Sequence, residues 1–232
     1  MTRLCTICAR GGSKGLPGKN LALLLGRPLV AWSVIQARET GLFAHVAVSS
    51  DSEFILRAAG DAGADVLVAR PPELASDSAG KLPAIQHCVA ETERRVGSPF
   101  DVVVDLDATA PLRLPDDVTA AVRLLETGDA TNVITACLAR RSPYFNLVEM
   151  SEDGVVRLSK PSSTPVLRRQ DAPRCYDMNA SIYAWWRGAL MGSASVFQER
   201  TRLHEMPRER SVDIDDDVDL ELVRLLAERA RR

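Results

Sequence analysis

No stretch of the 232-residue sequence approaches the ~20 apolar residues that cross a bilayer. No basic region followed by a long apolar run opens it either, so no signal peptide is expected. Neither sign of charge dominates. The 29 basic and 31 acidic side chains leave a formal net charge of -2, so nothing argues for a surface that binds nucleic acid or an anionic membrane. Cysteine is scarce and odd in number: Cys5, Cys8, Cys88, Cys137 and Cys175. That scatter favours reduced thiols in the cytosol over a disulfide framework. Cys5-Thr6-Ile7-Cys8 spells C-x-x-C, but no second pair completes a metal site, and on an apolar strand residues three apart face opposite ways. Buried packing is the expectation for both thiols. His45, His87 and His204 stand outside any motif and read as structural or surface residues; no Ser-His-Asp set is visible. The standard phosphate loops are absent too. Gly18-Lys19 is followed by Asn20, and Ser13 stands where the first P-loop glycine belongs. Gly11, Gly12 and Gly15 have the wrong spacing for a dinucleotide fingerprint.

What is present is an alternation of short apolar runs and helical spacings. Hydrophobic residues make up 46% and charged residues 26%, so a chain of this length can bury a large core within one domain, residues 1–232. Residues 4–9 read as a buried strand, 28–40 as a helix stopped near Gly41, and 44–50 as a strand. A helix over 52–60 with Ser52 at its N-cap follows, then a strand over 64–69 and a helix ending near Val96. Strands over 101–106 and 132–138 flank a helix over 116–127. This order predicts an α/β fold with a doubly wound, mostly parallel sheet, since continuous Val/Ile/Leu runs suit strands buried on both faces. Residues 139–177 break the pattern. They are short, extended and proline-containing, and read as a small β-rich arm, with the main domain resuming near Met178. Residues 217–232 form an amphipathic helix with acids early and arginines late, as the helix dipole prefers.

In an open α/β sheet, ligands bind beyond the carboxyl ends of the strands. The loops after Ala9, at Asp51, from Arg70 and from Asp107 all lie on that edge and surround one crevice. In the first loop, Gly11, Gly12, Gly15 and Gly18 let the backbone approach a ligand closely, while Arg10, Lys14 and Lys19 add positive charge. Phosphate binding is one reading; an ordinary basic surface loop is the other. A second cluster lies in "SVDIDDDVDLE". Asp213 and Asp215 bracket Ile214 in an extended segment, so both carboxylates can share a face and attract Mg²⁺, a hard cation that pairs carboxylates with substrate phosphates. The alternative is that these acids only cap the last helix, and for Asp216 and Asp217 capping is the preferred role. An EF-hand is excluded, because Val218 and Arg224 occupy its glycine and glutamate positions.

The motifs "ARGGSKGLPGKN", "RPPELASDSA", "TAPLR", "YDMNASIY" and "SVDIDDDVDLE", in this order over almost the whole chain, resemble the acylneuraminate cytidylyltransferases, the CMP-sialic acid synthetases. The resemblance implies a Rossmann-like nucleotidyltransferase fold and a homodimer whose β-rich arm reaches the neighbour's site. It also implies a reaction: CTP and a 2-keto-3-deoxy sugar acid, a nonulosonic acid, give the CMP-sugar and pyrophosphate. By the same resemblance Arg10 and Lys19 hold the triphosphate, in a loop that includes Gly11, Gly12 and Ser13. Asn20 and Arg70 bind the nucleotide, and Asp213 and Asp215 bind the metal. Arg169, Gln170, Asn179 and Tyr183 match positions on the sugar side, which Asp107 and Thr109 border.

The sequence departs from that family pattern at particular places. Asp107 stands where sialic-acid enzymes often have Gln, Asp177 where they often have Arg, and Gly80-Lys81 where they have small hydroxyl residues. The phosphate and metal ends match while the sugar end differs. The expected substrate is therefore a legionaminic-, pseudaminic- or deaminated sialic-type acid rather than N-acetylneuraminate. Transfer to another sugar or from another base, and a nucleotide-binding module without catalysis, are the competing readings.

Overall fold

A computed structural model describes residues 1–13, 15–76, 79–162 and 166–231; Lys14 lies outside them. The apolar run at the start forms β1 (Arg3–Cys8). The basic loop follows and leads into a short hairpin of β2 (Leu23–Leu24) and β3 (Arg27–Pro28). Next come α1 (Leu29–Glu39), β4 (His45–Ser50), α2 (Glu53–Asp61), β5 (Val66–Ala69) and α3 (Lys81–Val96). β6 (Val102–Leu106), α4 (Pro115–Thr127) and β7 (Asn132–Leu138) complete the alternating part. The arm carries the hairpin β8 (Val148–Met150) and β9 (Val156–Leu158). The chain returns as β10 (Tyr176–Trp186), two residues earlier than expected, and ends with α5 (Arg187–Met191), β11 (Thr201–Glu205) and α6 (Asp217–Ala230).

The strands form one seven-stranded sheet in the order β11-β7-β10-β6-β1-β4-β5. β10 is antiparallel to both of its neighbours and the remaining pairs are parallel. The sheet is therefore mostly parallel, as predicted. The chain winds outward from β1 to β4 and β5, then crosses to β6 on the other side of β1. This reversal between β1 and β6 is the topological switch point, where an open sheet leaves a crevice at its carboxyl edge.

Side-chain alternation builds a core on each face. Cys5 and Ile7 of β1 pack with α1, α2 and α4 through Val34, Ala59 and Val118. Leu4 packs on the other face with Ile85 and Val89 of α3, and Cys8 lies against that same face. The two cysteines of the C-x-x-C stretch thus point opposite ways and are free thiols, as the strand reading requires. A third cluster joins the β2–β3 hairpin, α1 and α6. Ile214 is fully buried there among Leu24, Leu29, Leu220 and Val223, docking α6 on the hairpin and on α1. Removing one such side chain from water is worth about 1.5–3 kcal/mol, enough to hold the preceding acidic segment in place.

Local caps agree only in part with expectation. Asp216 caps α6, accepting from the Asp219 amide at 3.0 Å, while the Asp219 carboxylate accepts from the Asp216 amide. Asp217 lies in the first turn. Ser52 precedes α2, but its side chain makes no capping bond; instead its amide donates to Ser50 Oγ at 3.1 Å.

Candidate active site

The crevice at the switch point encloses about 270 Å³ and is lined by Arg10, Lys19, Asn20, Arg70, Lys81 and Asp107, together with Thr109 and Asp213. The basic loop, the turn after β5, the start of α3, the turn after β6 and the acidic segment before α6 all meet here; the Asp51 loop, expected at the same crevice, is not in its lining and instead accepts from the Gly11 amide.

The basic loop is held from several sides. The Gly11 amide donates to Asp51 at 2.8 Å, and the Asn20 side-chain amide donates to the Arg10 carbonyl at 2.8 Å. Gly18 has φ of 69°, a left-handed conformation that disfavours side chains and starts the single turn Lys19–Leu21. At Gly15 the constraint is contact: a Cβ there would lie 2.2 Å from the Asp215 carbonyl oxygen. Glycine at this position lets the loop close on the acidic segment. Lys19 fastens the same junction. Its ammonium donates to the Ile214 carbonyl at 2.7 Å and to Asp215 Oδ1 at 3.2 Å. Arg70 is buried and anchored through Nε to Ser49 Oγ at 3.1 Å and through Nη2 to the Ser49 carbonyl at 2.9 Å.

The turn after β6 owes its rigidity to Arg113, a residue to which sequence reading assigned no role. Its buried guanidinium donates to the carbonyls of Asp107, Ala110 and Ser181 and to Ser33 Oγ, tying the turn to β10 and α1. Burial pushes its pKa down to about 10. Gln36 adds bonds to the carbonyls of Pro111 and Arg113 at 2.7 and 2.9 Å. The only sequence signal was a basic residue at the end of "TAPLR", where nothing local shows that it points inward.

This turn aims Asp107 and Thr109 at the crevice. Asp107 Oδ1 accepts from the Thr109 amide at 3.1 Å and the Thr109 hydroxyl at 2.8 Å, and Oδ2 accepts from Lys81 at 2.6 Å. Burial alone would raise the Asp107 carboxyl. The Lys81 ammonium outweighs burial and, with these hydrogen bonds, holds it well below the usual carboxylate range. The Thr109 hydroxyl also lies 2.6 Å from Asp213 Oδ1. Asp213 is raised by burial, with the Asp107 charge adding to the effect. Ile214 points into the core between its neighbours, so Asp213 and Asp215 both turn away from it, one half-buried against Thr109 and the other exposed beside Lys19. Among the described residues no group of three or more His, Cys, Asp or Glu side chains could hold a metal. Asp213 in the crevice lining and Asp215 beside Lys19 still suit Mg²⁺, which takes one or two carboxylates and completes its shell with water and substrate phosphates.

The residues expected on the sugar side divide. Arg169 and Gln170 line a separate cavity of about 570 Å³ at the base of the arm, with Arg141, Arg174 and Glu205. β7 and β11 run parallel to each other and in the direction of β6, so this cavity lies on the same carboxyl edge as the crevice. Arg169 is fastened there by a 2.9 Å bond to the Ala139 carbonyl. Asn179 is not in the crevice lining. It is buried, its oxygen accepting from the Thr135 hydroxyl at 2.7 Å and its nitrogen donating to Ser211 Oγ at 2.9 Å. The cause is a bulge in β10: Ala180 has φ of 50°, and the pairing with β7 shifts between Met178 and Tyr183. Tyr183 is buried beneath Lys81, with its ring centre 4.7 Å from the ammonium. Asp177 accepts from the Arg140 amide at 3.1 Å and lines a groove with Cys137 and Arg208, away from the crevice. Asp177 and Asp107, the two acidic departures from the family pattern, therefore do not line one crevice.

A basic glycine loop at the switch point of an open α/β sheet, facing paired carboxylates, is the arrangement of a nucleotidyltransferase. The sequence pattern of the family described as Cytidylyltransferase matches residues 4–229, and the chain belongs to that family. It is 42% identical over 223 residues to a CMP-N,N'-diacetyllegionaminic acid synthase of Campylobacter jejuni, covering 96% of this chain and 94% of that protein. With post-translational flagellin modification protein B of Campylobacter coli it shares 41% identity over the same coverage. A pseudaminic acid cytidylyltransferase of Campylobacter jejuni is 29% identical over 226 residues, covering 97% of this chain and 96% of that one. Among solved structures, CMP:2-keto-3-deoxy-manno-octonic acid synthetase complexed with CTP superposes with a TM-score of 0.70 at 20% identity, covering 99% of this chain and all of that one, which is a likeness of fold.

Proposed function

We propose that the protein transfers CMP from CTP to the anomeric hydroxyl of a nonulosonic acid of the legionaminic type, releasing pyrophosphate. The observation that carries this reading is the convergence of Arg10, Lys19, Arg70, Asp107 and Asp213 on one crevice, in a chain whose full-length relatives include a legionaminic acid synthase. The hydroxyl oxygen attacks the α-phosphorus, the bond to the β-phosphate oxygen breaks, and the hydroxyl proton is lost to solvent or a nearby base. Such a reaction depends on positioning and charge neutralisation rather than on a covalent intermediate. Arg10 and Lys19 hold the triphosphate over the loop formed by Gly11, Gly12 and Ser13, and Asn20 and Arg70 fix the rest of the nucleotide. Asp213 and Asp215 would hold Mg²⁺, which when bound supplies neutralisation of the leaving pyrophosphate. Arg169 and Gln170 grip the sugar acid, with a guanidinium matched to its carboxylate. Asn179 and Tyr183 act from behind, by shaping β10 and supporting Lys81. The protein is cytoplasmic and makes activated sugar for a surface glycan.

Competition at equal concentration between N-acetylneuraminate, N,N'-diacetyllegionaminate and pseudaminate tests the sugar. The legionaminic acid is expected to lead in kcat/KM by one to two orders of magnitude, since a buried polar group left unpaired costs about 1–3 kcal/mol. A lead for N-acetylneuraminate would refute the sugar assignment. A nucleoside diphosphate product in place of pyrophosphate would refute the reaction itself.

The active form is proposed to be a homodimer, with the whole chain as one domain and 139–177 as the arm that meets the second copy. Supporting this, Leu147, Val148, Met150, Val156, Leu158 and Leu167 of the arm are exposed, an apolar surface that β8 and β9 do not bury on their own chain. Sedimentation velocity at assay concentration is expected to show a dimer. An active monomer would exclude this role for the arm.

A further inference from the structure

Lys81 opens α3 at the inner wall of the crevice, with 31% of its side chain accessible. Its ammonium lies 2.6 Å from Asp107 Oδ2, 3.2 Å from Asp105 Oδ2 and 4.7 Å from the centre of the Tyr183 ring. Asp105 is fully buried on β6 and accepts from the Thr6 hydroxyl at 2.8 Å. Two carboxylates and an aromatic face therefore surround one cation. Lys19 in the same crevice differs: it donates to the Ile214 carbonyl at 2.7 Å and its one carboxylate partner, Asp215, is largely exposed. Lys81 is poorly placed to serve as a further phosphate ligand, because its charge is already spent on the protein's own acids.

The pairing solves an electrostatic problem. A nucleoside triphosphate and a sugar carboxylate are both anionic, yet the wall they approach carries Asp107 with Asp105 behind it. Left alone, a carboxylate in a partly buried site repels such a ligand by an energy that grows as water is excluded. Paired with Lys81, Asp107 becomes nearly neutral at a distance; Thr109 occupies Oδ1 twice and Lys81 occupies Oδ2 once, which leaves one lone pair on Oδ2. That lone pair can accept from a hydroxyl or amide N–H group, donors that nucleosides and acylamino sugars carry.

We propose that Lys81 is a specificity-determining residue, a built-in counter-ion that lets Asp107 act as a hydrogen-bond acceptor for neutral donors of the nucleotide or sugar without repelling their anionic groups. The proposal rests on the reading of the crevice as the CTP site. Calorimetric titration with CTP, without turnover, tests it in the parent protein and in the variants Lys81→Met, Lys81→Arg, Asp107→Asn and Lys81→Met with Asp107→Asn.

Lys81→Met is expected to weaken CTP binding roughly ten- to a hundredfold at low salt, with a smaller loss at high salt because the unmasked repulsion is screened. Removing Asp107 as well should recover most of the loss, and Lys81→Arg should retain binding. Unchanged affinity in Lys81→Met would overturn the proposal. So would a loss that persists undiminished in the double variant, which would make Lys81 a direct ligand or a purely structural residue. Should Lys81→Met fail to fold, the double variant decides: folded and CTP-binding supports the counter-ion role, and unfolded or non-binding refutes it. Absence of CTP binding in the parent protein would sink the functional reading as well, and is told apart because every variant is then silent for the same reason.

Discussion

Asp213→Ala and Asp215→Ala are each expected to lose about 10³-fold or more in kcat with the fold intact. The expectation follows from where Ile214 goes. Its side chain is fully buried among Leu24, Leu29 and Val223, and its amide donates to the Thr109 carbonyl at 2.9 Å. That holds Asp213 in the crevice lining and Asp215 beside Lys19. Loss of a metal clamp on the leaving pyrophosphate removes several kcal/mol of transition-state stabilisation, and each 1.36 kcal/mol is tenfold in rate. Stability should not follow activity. Burial and the neighbouring Asp107 charge push the Asp213 carboxyl up, so its ionised form is disfavoured in the folded protein and its removal relieves that cost. Asp217, in the first turn of α6, is the internal control: its replacement by Ala should cost only about 0.3–1 kcal/mol of helix stability and leave turnover near normal. Turnover measured across a Mg²⁺ titration, with thermal unfolding in parallel, checks all three variants. Near-normal Mg²⁺-dependent activity in Asp215→Ala would remove that residue from the metal site.

Lys19→Ala should reduce kcat/KM for CTP by about 3 kcal/mol, the cost of losing one strong preorganised donor. Two effects combine in this estimate. The ammonium would no longer face the triphosphate, and its bonds to the Ile214 carbonyl and Asp215 would be lost, loosening the junction between the basic loop and the acidic segment. Lys19→Arg separates them. It restores charge but not the compact geometry, so partial recovery is expected. Initial rates at subsaturating CTP are the measurement, and an unchanged kcat/KM in Lys19→Ala would reduce the basic segment to an ordinary surface loop.

Much of this architecture is legible in the sequence, and for a physical reason: it is encoded in neighbours. The buried run of β1, the opposite facing of Cys5 and Cys8, the helical spacing of α1 and the acidic cap of α6 all depend on residues within a few positions of one another. Alternation of strand and helix then implies a parallel sheet, and a parallel sheet puts its loops on one edge. The basic loop, Arg70 and Asp107 could therefore be assigned to one crevice from order alone, whereas Asp213 was joined to them only by the family pattern. What depends on meetings across the chain was not legible. Asn179 follows the family pattern, but a bulge at Ala180 turns it into the sheet, where Thr135 and Ser211 take its hydrogen bonds. Arg113 reads as one more surface cation until the turn after β6 wraps around it. Lys81 and Asp107, noticed as separate peculiarities, are a single ion pair joining α3 to that turn. Gly15 and Asp215 lie at opposite ends of the sequence, yet one allows the close approach of the other. Local periodicity sets the elements because each residue's neighbours are given by the chain itself; partners far apart in sequence are chosen only when the strand order is set and side chains compete for the same buried space.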